Sequence, residues 1–237
     1  KINDYIEKYK EVKDYNYAVN IVNYPFIVSS NGDTKEKYDI TNPDDLLTLV
    51  KKGFYLNDYE PKDLVELDSE YVAPTCDHPQ LRKVAAEALV KMIKDAKKEG
   101  MYLLLNSGYR SYEEQEKIYQ ETEQKYGGAY AAEYVATPGA SEHQTGLGID
   151  MTSQSVVDKQ RLVFGDTTEY KWVVENCAKY GFIVRFTEGT DGITGISHEP
   201  WHLRYVGKKV AKEIKDQNWT LEEYCLYKNV IPKFKKD

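Results

Sequence analysis

Between residues 79 and 98, apolar side chains recur at Leu81, Val84, Ala85, Ala88, Leu89, Met92, Ile93 and Ala96, and Gly100 follows. This spacing predicts a helix of about five turns with one unbroken apolar stripe, closed by a glycine. A stripe of that length has to be covered by another layer. Residues 101–105 supply the first candidate, an apolar run of strand length. Ser111 and Glu114 then form a capping-box pattern that starts a further helix.

The alternation continues downstream. Strands are expected over 147–151, 182–186 and 200–205, and helices over 169–180, stopped by Gly181, and over 206–215. Thr220 and Glu223 form a second capping box before a final helix. These elements make no clean βαβ repeat and carry no glycine-rich nucleotide fingerprint. The expected fold is therefore α+β: a small mixed or antiparallel sheet flanked by helices.

Upstream, the signal is weaker. Residues 1–43 are polar and rich in Tyr, Lys and Asn, and read as an extension without chemistry of its own. Within it, 1–13 suits a short helix, 19–29 has strand-like apolar residues, and Asn31-Gly32-Asp33 is a turn signal. Asn42 as cap, Pro43 at the first helical position, Leu46, Leu47 and Val50 as stripe and Gly53 as stop predict another helix. Residues 54–76 read as loop with short extended pieces. The main domain is drawn over 44–237.

Composition excludes several classes. The net charge of −7 leaves no global electrostatic footprint for nucleic acid. No stretch approaches the roughly 18 apolar residues of a membrane span. A targeting segment or membrane anchor, where one exists, lies outside this chain. The three cysteines, Cys76, Cys177 and Cys225, form no Cys-x-x-Cys, which excludes a zinc ribbon, and their odd number leaves at least one thiol free.

Chemistry centres on the four histidines. His143 stands in Ser141-Glu142-His143-Gln144-Thr145-Gly146-Leu147-Gly148-Ile149-Asp150, a glycine-rich stretch with an Asp seven positions on. His202 stands in His198-Glu199-Pro200-Trp201-His202-Leu203-Arg204, with Glu199 three residues before it. Two imidazoles and one carboxylate give the three protein ligands of a catalytic zinc site with an open position. A nearby non-ligating carboxylate suits proton transfer. Taken singly, each piece also reads as a structural His, a capping Asp or a solvated Glu. Ser107-Gly108-Tyr109-Arg110-Ser111 adds a strand-to-helix turn, whose Arg110 is suited to a bidentate pair with a carboxylate.

In this order, Ser-Gly-Tyr-Arg-Ser, Ser-x-His-x-x-Gly-x-Gly-x-Asp and Glu-Pro-Trp-His-x-Arg resemble the VanY-type D-alanyl-D-alanine carboxypeptidases. These are zinc peptidases of bacterial cell-wall peptides, and L,D-carboxypeptidases share the pattern. The resemblance covers about residues 44–228. It implies one zinc ion held by His143, Asp150 and His202 at the sheet edge, with Glu199 as general base. It implies that Arg110 holds the substrate carbonyl or carboxylate, with Gln115, Ser141 and Trp201 as further substrate contacts. Gly148 stands where the family often has Ala or Ser, and His198 where an aromatic or polar residue is more usual. His78 and His198 are not expected to be ligands. The implied activity is removal of the C-terminal D-Ala from peptidoglycan stem peptides by a monomer in an extracytoplasmic location, at the cell wall or the outer face of the membrane. An L,D-carboxypeptidase on tetrapeptides, an endopeptidase within the stem and a non-catalytic peptidoglycan-binding module remain open alternatives.

Overall fold

The computed structural model describes residues 1–29, 36–161 and 163–236. The chain begins with α1 (Ile2–Val12) and α2 (Tyr15–Asn23), then β1 (Tyr38–Ile40), β2 (Phe54–Tyr55), β3 (Leu64–Glu66) and β4 (Gln80–Arg82). The central part holds α3 (Lys83–Lys98), β5 (Leu103–Ser107), α4 (Tyr112–Tyr126), α5 (Gly128–Tyr134), β6 (Gly148–Ser153) and α6 (Gln154–Val157). The remainder holds α7 (Thr168–Asn176), β7 (Phe182–Phe186), α8 (Asp191–Thr194), β8 (Glu199–Tyr205), α9 (Lys208–Gln217), α10 (Leu221–Tyr227) and β9 (Phe234–Lys236). The architecture is α+β, as expected.

The sheet that matters for function is antiparallel, in the order β5-β6-β8-β7. Because side chains alternate across a strand, it serves two layers. On one face Leu103, Leu105, Ile149, Met151, Phe182 and Leu203 pack with Ala85, Leu89, Met92 and Ala96 of α3 and with Trp172 and Val173 of α7. On the other, Ile183 and Val206 join Ala211 and Ile214 of α9 and Leu221 and Cys225 of α10. Ile27, Tyr38, Leu49 and Phe54 complete this second layer, so residues of the N-terminal 43 lie in the same core as the C-terminal helices. Asn20 reinforces this by donating to the Leu226 carbonyl at 2.8 Å. β1 pairs with both β2 and the C-terminal β9.

Both capping boxes form. Ser111 Oγ accepts from the Glu114 N–H while Glu114 accepts from the Ser111 N–H, and Thr220 and Glu223 do the same. Gly181, at φ 95°, ends the helical stretch over 168–180, whose last turn tightens to 3-10.

Several expectations require correction. The long helix begins at Lys83, because residues 80–82 form β4 and pair with β3, Val65 opposite Leu81. Leu81 is buried from a strand, which helical spacing alone does not distinguish. The helix expected after Asn42 is absent: Asp45 Oδ1 accepts the Leu47 N–H at 2.9 Å, a local turn that competes with helix formation. The carbonyls there go to distant arginines, Asp44 O to Arg82 and Leu46 O and Thr48 O to Arg204. The strand-like residues after Val19 lie in α2, capped by the Asp14 carboxylate, and in a 3-10 turn opened by Pro25. The Asn31-Gly32-Asp33 turn lies outside the described residues. All three cysteines are free thiols, Cys177 and Cys225 buried. Among the described residues no helix is long and apolar enough to cross a membrane.

Leu89 is fully buried between α3 and the sheet. Leu89→Ala is expected to lower stability by about 2–5 kcal/mol, read as a reduced urea midpoint.

Candidate metal centre and active site

Antiparallel pairing of β6 with β8 sets Asp150 directly opposite His202. Both project from the face opposite Ile149, Met151 and Leu203. These are the two central strands, so the site lies over the middle of the sheet and not on an edge strand as expected. His143 arrives from a 3-10 turn (Glu142–Thr145) that ends at Gly146, in the left-handed conformation at φ 65°. A Cβ at Gly146 would also press on Arg82 and Leu64, which is why glycine suits the position.

One ligand atom from each of His143, Asp150 and His202 lies within 4.8 Å of the others. His143 Nε2 is 3.3 Å from Asp150 Oδ2, and His202 Nδ1 is 2.9 Å from Asp150 Oδ1. Tetrahedral ligands at zinc bond lengths sit about 3.3 Å apart, so the spacing suits one ion. The other nitrogen of each ring is already engaged. His143 Nδ1 donates to the Gly108 carbonyl at 2.8 Å, and His202 Nε2 faces Glu142 Oε2 at 3.2 Å. Outer hydrogen bonds of this kind select the tautomer of a metal-binding histidine. The donor set and its surroundings therefore fit zinc.

The surrounding charges favour a cation at this place. Burial pushes the Asp150 carboxyl up, but the two imidazoles outweigh it and hold it well below the usual carboxylate range. Burial also works against a charge on His202, yet hydrogen bonds to Asp150 and Glu142 prevail and raise its pKa to about 9. Glu199, at the start of β8, is raised by burial, aided by the charges of Asp150 and Glu142 and opposed by His202. Its approach depends on an irregularity: Val184 pairs with Leu203 but Phe186 pairs with Glu199, so Arg185 alone on β7 stands against Pro200, Trp201 and His202 on β8. The same distortion lets Phe186 stack on the His202 ring, centroids 5.0 Å apart.

Arg110 follows β5 at the turn into α4. Its Nη1 donates to Gln115 Oε1 at 2.8 Å and its Nη2 to Ser107 Oγ at 3.2 Å. Its buried Nε has no partner among the described residues. Burial lowers the guanidinium pKa, while Asp150 and Glu114 support the charge. Gln115 also donates to the Ala136 carbonyl at 2.7 Å, so both ends of its amide are engaged by the protein. Ser141 is buried at the start of the 3-10 turn, and Trp201 is 37% exposed. His78 and His198 stand apart from the cluster, beside Glu114 and Glu188.

Sequence reasoning missed the charges behind the site. Glu142 Oε1 accepts from Arg185 Nε at 2.9 Å and Arg204 Nη1 at 2.8 Å. Arg185 also grips Glu222 with two bonds, at 2.9 and 2.7 Å. Lys51 lies 3.9 Å from Glu222 and donates to the Ile27 and Ile193 carbonyls. The one available signal was Arg185 inside the otherwise apolar strand Phe182–Phe186, since a buried arginine requires partners.

The family model described as VanY, D-alanyl-D-alanine carboxypeptidase, matches residues 78–208, more than half of the chain and all of the residues just named between Arg110 and Arg204. The chain belongs to this family. YodJ of Bacillus subtilis (strain 168), named a carboxypeptidase by inference, is 48% identical over 187 residues, 78% of this chain and 68% of YodJ. The solved structure of LdcB, an LD-carboxypeptidase described with its peptidoglycan recognition, shares 46% identity and superposes with a TM-score of 0.72, covering 78% of this chain and 88% of that one. A variant of the vancomycin-resistance D,D-pentapeptidase VanY, in complex with Zn(II), shares 32% identity at a TM-score of 0.63, covering 75% and 97%. As a VanY-family member this chain is a carboxypeptidase, and its α+β fold is the one those zinc peptidases adopt.

Replacing Asp150 with Ala removes the carboxylate that both imidazoles face. Equilibrium dialysis with zinc is expected to give one ion per wild-type chain and to show affinity reduced at least 100-fold in Asp150→Ala, with the circular dichroism of the fold kept.

Proposed function

We propose that this enzyme holds one zinc ion with His143, Asp150 and His202 and releases the C-terminal D-Ala of peptidoglycan stem peptides. The observation that carries the reading is the pairing of Asp150 with both imidazoles, each ring oriented from behind by its second nitrogen. A zinc ion there would polarise the scissile carbonyl and make water acidic enough to attack near neutral pH. Glu199, pushed up by burial, takes a proton from the attacking water and passes it to the leaving amine nitrogen. Arg110 presents its unpartnered Nε to the oxygen on which negative charge develops, or to the terminal carboxylate. Gln115 keeps the guanidinium aimed, and Ser141 and Trp201 border the peptide. The metal set is complete within one chain and does not call on a second copy, and we take the enzyme to act as a monomer. Action on wall peptides would put the enzyme outside the cytoplasmic membrane, at the wall or the outer leaflet.

Two bonds compete. The family description names D-Ala-D-Ala, the terminus of a pentapeptide stem, which is the D,D reading reached from sequence. The greater likeness to LdcB, 46% against 32% identity, favours the L,D bond of a tetrapeptide stem. The residues near the metal serve either reaction, so the pocket around the penultimate residue makes the choice.

The test is release of D-alanine from synthetic pentapeptide and tetrapeptide stems. Release from the tetrapeptide is expected, abolished by a chelator, restored by zinc, and reduced roughly 100- to 10,000-fold in Glu199→Ala. Release from the pentapeptide alone would assign the D,D bond, and release from neither would defeat the carboxypeptidase reading of this site.

A further inference from the structure

Glu142 precedes the first histidine of the candidate metal set, yet its side chain serves the second. Its Oε1 is occupied by both arginines, Arg185 Nε at 2.9 Å and Arg204 Nη1 at 2.8 Å. Its Oε2 is left for His202 Nε2, at 3.2 Å. We propose that Glu142 is a positioning residue for His202, holding the ring so that Nδ1 is the nitrogen offered to the metal. The inference rests on the zinc reading above and adds to it which group sets the ligand atom.

Four observations carry it. The carboxylate is fully enclosed and its place is dictated from behind: Arg185 is gripped by Glu222, and Arg204 is tied to the Leu46 and Thr48 carbonyls. The Glu142 backbone is also packed closely against β6, since a Cβ at Gly148 would lie 2.9 Å from its carbonyl carbon. Phe186 stacks on the His202 ring at an interplanar angle of 21° and limits its tilt. Finally, turning the ring over would put carbon atoms where Nδ1 and Nε2 now stand and forfeit both hydrogen bonds. Once Asp150 is committed to an ion, Glu142 is the group left to resist that turn.

Arg185 and Arg204 could be read as a purely structural pair that Glu142 neutralises. The two readings differ in what Glu142→Gln does. Both arginines donate, so they select the amide oxygen and leave the amide NH2 facing the His202 Nε2–H, donor against donor. The side-chain volume is almost unchanged.

The experiment compares zinc-loaded wild-type enzyme with Glu142→Gln. Zinc affinity is measured by competition with a chromophoric chelator, and the histidine rings are followed by long-range 15N–1H correlation. The expected result is zinc binding weakened about 10- to 100-fold, with the His202 Nε2–H signal displaced and the His143 signals unchanged. Zinc affinity within about two-fold of wild type and an unmoved His202 signal, whatever happens to the melting temperature, would overturn the proposal. Where Glu142→Gln does not fold, the wild-type spectrum decides: a protonated Nε2 and metal on Nδ1 support it, and metal on Nε2 overturns it. Failure of the wild type to bind zinc would overturn the metal reading and this inference together, whereas zinc binding that Glu142→Gln leaves unchanged overturns this inference alone.

Discussion

The register between β6 and β8 is the constraint on which the rest depends. Asp150 opposite His202 places a carboxylate between two imidazoles over the middle of an antiparallel sheet. A slip of either strand by one residue would turn its own polar side chain, Asp150 or His202, into the apolar layer and bring Ile149 or Leu203 out of it. The register is therefore protected by the packing of α3 and α7 on the opposite face. The layer packed by α3 and α7 on one side of the sheet and the chemistry on the other are consequences of the same alternation.

The charged layer behind the site has a different role from the apolar one. Arg185, Arg204, Glu142, Glu222 and Lys51 are all buried. Buried ion pairs of this kind are weak evidence for stability, because desolvation offsets much of the attraction. What they supply is direction. Their partners come from β7, β8, α10 and the segment around Lys51, and the chain of contacts ends on the His202 ring. Through Lys51 and the Ile27 carbonyl the N-terminal region touches the same chain. The layer formed by residues 1–43 and the C-terminal helices thus backs the metal centre, whatever further role that region has.

Local signals were legible in the sequence. The two capping boxes, the strand over 182–186 and the glycine stops were readable because each is settled by residues three or four positions apart. The His, Asp and His of the candidate site were readable because the motifs around them are specific as a set. The segment after Asn42 was misread because its carbonyls are claimed by Arg204, more than 150 positions away. Glu142 was passed over for a similar reason: its partners lie 43 and 62 positions downstream, and no short spacing announces them. The bulge that sets Glu199 beside the cluster is likewise a property of strand pairing, invisible in the strand's own residues.

The most direct test of the metal centre is X-ray absorption at the zinc edge of the loaded protein. The arrangement of His143, Asp150 and His202 predicts a shell of nitrogen and oxygen only, at about 2.0–2.1 Å, with the outer scattering of two imidazoles. A sulfur at about 2.3 Å, or the scattering of one or three imidazoles, would contradict the site described here.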